Sequence, residues 1–109
     1  MELRTRKFAV MIIKLSASLP NSDEGRVIRN QITKSGTSIG ANYSEANRAR
    51  STREFKSKIK ICEGEANETI YWLEIISDMN WASEKGLESP KKEASELLAI
   101  FTSIGNKLK

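Results

Sequence analysis

Histidine is absent from this chain of 109 residues, and cysteine occurs once, as Cys62. The first absence removes the commonest zinc ligand and the usual general base, and the second excludes an internal disulfide. No apolar run approaches the ~18 residues of a membrane span, and no charged, apolar and small-residue leader opens the chain, so neither a membrane segment nor a secretory signal is expected. A cytoplasmic protein without metal, cofactor or triad chemistry is the simplest expectation. Internal repeats and low-complexity tracts are also missing.

What is present fits one domain over residues 1–109, with 39% hydrophobic residues to form a single core. The net charge of +4 conceals a strong segregation. Residues 48–60 hold six bases against the single acid Glu54, a local +5, whereas residues 63–96 hold nine acids against three bases, a local −6. The molecule therefore has one basic and one acidic region.

Helical periodicity dominates the chain. Phe8, Met11, Ile12, Leu15 and Leu19 recur in steps of three and four, which predicts a first helix from about Arg4 to Leu19, closed by Pro20. Asn21 with Glu24 offers a variant capping box, and a second helix should start near Ser22 and run to about Arg48. Ser51 with Glu54 forms a capping box that starts a third helix at Thr52; its seam of Phe55, Ile59, Cys62, Ala66, Thr69, Leu73 and Ile76 alternates steps of four and three and should end near Asp78. Ile70, Tyr71, Trp72 and Ile75 widen its second half, which predicts cover on more than one side. Residues 80–89 read as a loop with Trp81 and Leu87 folded over the bundle end. Ser89 then caps a fourth helix with Pro90 in its first turn and Ala94, Leu97, Leu98, Phe101, Ile104 and Leu108 on its face. The expected fold is an all-α, antiparallel up-down-up-down four-helix bundle with long second and third helices.

The stretch Ser35-Gly36-Thr37-Ser38-Ile39-Gly40-Ala41 is the difficult segment. Each glycine costs ~1 kcal/mol in a helix relative to alanine, so propensity alone predicts a loop. Yet Ile28, Ile32, Ser35, Ile39, Asn42, Tyr43 and Ala46 keep one stripe running through it. A continuous helix follows if its small residues admit a neighbouring backbone. The Gly36–Gly40 spacing matches a membrane dimer motif, but Lys34, Asn42 and Glu45 flank it, so close packing in water is the better account.

Taken together, Leu19-Pro20, Gln31-Ile32, residues 35–43, Glu45-Ala46, Arg48-Ala49-Arg50-Ser51 and Phe55 resemble a known family. Lys58-Ile59, Ile61, Glu65-Ala66-Asn67-Glu68-Thr69 and Tyr71-Trp72-Leu73-Glu74 continue the match. The family is that of the bacterial four-helix bundle proteins encoded by intervening sequences in 23S ribosomal RNA genes. The resemblance implies a continuous second helix and assembly into a ring, typically a pentamer. The accessory variability determinant of diversity-generating retroelements is similar in fold, and by that analogy a basic ring binds nucleic acid and a protein that works on it. Lys34 stands where the family usually has arginine and Gly64 where lysine is common, which thins the basic surface.

The residues themselves offer two constellations. Arg53, Lys56 and Lys60 share one stripe of the third helix, with Arg48 and Arg50 just before its start. Cations there oppose the helix dipole by ~0.3–1 kcal/mol each, which points to a partner: phosphates, or the acids Glu63, Glu74 or Glu84 of a neighbouring subunit. With no aromatic between Arg48 and Lys60 except the core candidate Phe55, any nucleic-acid contact should follow the RNA or DNA backbone rather than the bases. The bland reading is a solvated face. The second constellation is Asn42, Glu45, Glu65, Glu68 and Tyr71; paired carboxylates can serve acid–base chemistry, but without a nucleophile or ligand set a polar layer that fixes register or a subunit contact is the better expectation. Cys62 reads as a small core residue, and Tyr71 and Trp72 as core or interface.

Overall fold

The computed structural model describes residues 1–108. Its four helices are α1 (Glu2–Ala17), α2 (Asp23–Ala46), α3 (Thr52–Asp78) and α4 (Glu84–Lys107). They pack antiparallel in sequence order, up-down-up-down, in a body of 44 × 20 × 20 Å. α2 lies against both α1 and α3, α4 lies mainly against α3, and α1 and α3 occupy diagonal corners of the bundle.

The expected seam of α3 is the core: Ile59, Cys62, Ala66, Thr69, Leu73 and Ile76 are all fully buried, while Phe55 is half-buried against them. α2 is continuous through its small residues. The hydroxyls of Thr37 and Ser38 donate to the carbonyls of Thr33 (2.7 Å) and Lys34 (2.6 Å), and the Asn42 amide donates to Ser38 O at 2.8 Å. Side chains that would otherwise favour loop geometry thus bond back onto their own helix.

The glycines face α1. A Cβ on Gly36 would sit 2.8 Å from Ile12 Cγ2, and one on Gly40 would sit 3.0 Å from Thr5 Oγ1. Their absent side chains set the α1–α2 separation. On the opposite flank of α2 the Ser35 and Thr69 hydroxyls lie 2.8 Å apart, each also in reach of a carbonyl on its own helix, at Ile32 and Glu65. The Cys62 thiol reaches Ile39 O at 3.4 Å.

Helix ends depart from the sequence reading in several places. α1 stops at Ala17, and Leu19 packs into the core from the turn. The cap of α2 is Ser22, whose hydroxyl accepts the Gly25 amide at 3.0 Å, while Asn21 accepts from the Arg26 side chain instead. Glu54 reaches the Arg50 amide (3.2 Å) rather than that of Ser51, although Ser51 Oγ accepts the Glu54 amide at 3.1 Å as expected. The largest correction concerns α4, which begins at Glu84 under a Ser83 cap and carries Pro90 within its second turn.

That early start has a physical cause. Leu87, Pro90, Ala94, Leu97 and Phe101 form one buried stripe in steps of three and four, so an extra turn buries Leu87 and offsets the hydrogen bond that proline cannot donate. Leu87 therefore covers the bundle end from a helix, not from a loop. The preceding turn is a Schellman cap on α3: Asn80 takes a left-handed φ of 56°, its amide donates to Ser77 O at 3.0 Å, and the Trp81 amide donates to Ile76 O at 3.1 Å.

Gly36→Ala should lower stability by about 1–2 kcal/mol, because overpacking against the fully buried, β-branched Ile12 exceeds the gain in helix propensity. Gly105→Ala, where a Cβ meets nothing within 4 Å, should be neutral or slightly stabilising; urea unfolding of both variants checks the contrast.

Candidate nucleic-acid interface

The basic constellation assembles at the α2–α3 turn. The turn is tight because α2 ends at Ala46 and α3 restarts at Thr52, with Asn47 as C-cap and Ser51 as N-cap. Arg48, Arg50, Arg53, Lys56 and Lys60 are all exposed. None of them makes an ion pair among the described residues; the paired cations are Arg4, Arg26 and Lys58. Arg48 only folds back to Ser44, donating to its hydroxyl at 2.9 Å. Glu54, the one acid inside the cluster, accepts the Arg50 backbone amide, so it caps the turn rather than pairing a guanidinium.

Antiparallel packing adds what residue spacing missed. Lys56 and Lys60 share a groove of about 220 Å³ with Thr102, Gly105 and Asn106 of α4. The last turn of α4, which carries Lys107, thus ends beside the first turns of α3. That turn is remote from the cluster in sequence, and only the return of α4 antiparallel to α3 brings the two together. Phe55, half-buried against the core, is not a free stacking surface.

The second constellation is dispersed. The Asn42 amide bonds within α2, and Glu45 pairs with Lys58 at 3.0 Å across the α2–α3 groove. Glu65 is half-buried, with Oε2 enclosed and without a hydrogen-bond partner, and Glu68 is exposed. No hydrogen bond joins Asn42, Glu45, Glu65 and Glu68 to one another among the described residues. The buried polar contact between α2 and α3 is made instead by Ser35 and Thr69. Tyr71 is exposed, its ring edge-on to Trp72 at 5.0 Å.

Burial, reinforced by the Glu68 charge and opposed by Lys34, raises the pKa of Glu65. Burial likewise pushes the Cys62 thiol up to about 12, which keeps it protonated and unreactive at neutral pH. No group of three or more His, Cys, Asp or Glu residues is placed to hold a metal among the described residues, and no described helix is long and apolar enough to cross a membrane.

These features define a four-helix bundle with a solvent-facing basic turn. Residues 3–103 match the family described as 23S rRNA-intervening sequence protein, and the chain belongs to that family. Among solved structures it is similar to a protein of unknown function from the S23 ribosomal protein family of Bacteroides thetaiotaomicron VPI-5482, at 38% identity and a TM-score of 0.88 over 95% of this chain and 96% of that one. No curated protein matches the chain significantly.

The raised pKa of Glu65 has a defined sign. The folded protein holds this proton at pH values where the unfolded chain has released it, so stability falls as pH rises from the ordinary carboxyl value through the folded-state value. Glu65→Gln should flatten that decline and be the more stable protein above it, as urea midpoints between about pH 4 and 7 would show.

Proposed function

We propose that this protein is a non-enzymatic, cytoplasmic homo-oligomer that presents basic surface to a nucleic-acid backbone or to a protein working on nucleic acid. The oligomer is a ring, a pentamer in keeping with the family resemblance. The supporting observation is the set of five exposed cations at and just after the α2–α3 turn, Arg48, Arg50, Arg53, Lys56 and Lys60, none in an ion pair among the described residues. Three arginines on adjoining turns suit phosphate oxygens, which guanidinium groups engage with two parallel hydrogen bonds. With no free aromatic in the cluster, recognition follows charge and shape and is weakly sequence-dependent. Repetition around a ring multiplies a modest contact into an avid one.

The second reading is a structural or adaptor oligomer in which the same cations meet the acids of a neighbouring subunit. Its support is the run from Glu63 to Asp78, which holds five acids and no base.

Binding of mixed-sequence RNA and DNA of equal length should weaken steeply with salt. Changing Arg48, Arg50 and Arg53 together to Ala should reduce the slope of log K against log salt by about 2–3 on duplex DNA, with the sedimentation coefficient unchanged. A flat salt dependence would sink the nucleic-acid reading, and dissociation of the oligomer by the triple substitution would establish the adaptor reading.

A further inference from the structure

Two apolar faces are left uncovered on opposite sides of the bundle. On α1, Leu3 (54% exposed), Val10 and Ile13 form one outer stripe, while Thr5, Phe8, Ile12 and Ser16 bury the inner one. On α3, Ile61 and Tyr71 (55% exposed) flank Gly64, where a Cβ would meet nothing within 4 Å. Because α1 and α3 sit at diagonal corners, the two faces point away from each other.

Their heights correspond. Thr5 lies against Gly40, next to Ile39, whose carbonyl meets Cys62; Ile12 lies against Gly36, next to Ser35, whose hydroxyl meets Thr69. α1 and α3 run in the same direction, so Leu3 stands level with Ile61 and Ile13 level with Tyr71. Their charges are complementary as well. Exposed Arg6 and Lys14 border the α1 stripe, whereas the α3 face is bordered by exposed Glu68 and Glu74. Packing either face against its own copy would bring like charges together.

We infer that the α1 face of one copy packs beside the α3 face of a second copy, with Gly64 admitting the approach of α1 between Leu3 and Val10. The contact is heterologous, so each copy keeps one free face of each kind until the assembly closes. Matched heights remove an axial offset, which is the condition for a closed ring rather than a filament. This assignment rests on the homo-oligomeric reading and leaves the α2–α3 turn outside the contact.

Sedimentation of the full chain and of two surface variants tests it. Val10→Glu and Tyr71→Glu change half-exposed side chains, so each should remain helical and cooperative in unfolding, yet each should sediment as a monomer. Mixed together, they should form a 1:1 dimer, because each supplies the face that the other lacks. Ile13→Ser and Ile61→Ser form a second pair with the same expectation, and Val27→Glu, on the exposed apolar patch at the far bundle end, should leave the oligomer intact. A monomeric wild-type protein would overturn the oligomeric reading and this inference with it. An oligomeric wild type that survives both glutamate substitutions, dissociates with Val27→Glu, or yields no dimer on mixing would overturn the inference alone.

Discussion

The close approach of α1 to α2 is the constraint on which the rest of the molecule depends. Gly36 and Gly40 leave no room for a β-carbon, and in that space Ile12 and Thr5 settle against the α2 backbone. The same two turns of α2 hold α3 from the other flank, through Ser35 to Thr69 and Ile39 to Cys62. One helix therefore sets the heights of both its neighbours. The glycine cost in helix propensity is offset by packing on two sides, which an isolated peptide of this sequence would not have.

Charge follows from that register. Where opposite charges meet across a groove they pair, as Lys58 does with Glu45 and Arg4 with Glu93 and Glu96. The donation from Arg4 to Glu93 raises the arginine's pKa and ties the start of α1 to α4, two helices that otherwise meet over few residues. The α2–α3 turn is different in kind. Its cations crowd the positive end of the α3 dipole, and the one acid among them, Glu54, is held by the cap, so the turn keeps an unfavourable concentration of positive charge. That cost is tolerated by a core to which the turn contributes little, and it leaves a surface to which anions are attracted over a Debye length.

The helices and most of their core were legible from residue spacing. The α3 seam emerged residue for residue apart from the half-buried Phe55, since a three-and-four alternation has one helical face whatever packs on it. Boundaries were less legible. Ser22, Ser51 and Ser83 all cap helices, but Asn21 and Ser89 offer the same chemistry, and the choice between Ser83 and Ser89 turned on whether Leu87 could be buried. Of the candidate site residues, the basic cluster was visible because its members are neighbours in the chain. The polar constellation was less so, because facing turns on two helices need a shared height before their side chains can meet.

Composition and periodicity by themselves determined an all-helical chain, four amphipathic segments, a basic turn and a third helix that is basic in its first half and acidic in its second. These are properties of residue order along a helix with 3.6 residues per turn, and no partner is needed to express them. Only the tertiary structure decided that α2 passes unbroken through its glycines, that α4 begins before its proline, that the end of α4 lies beside Lys56 and Lys60, and that Ser35 and Thr69 form the buried polar contact. Each of those outcomes depends on burial against a segment distant in sequence, and burial outweighs local preference when both cannot be satisfied.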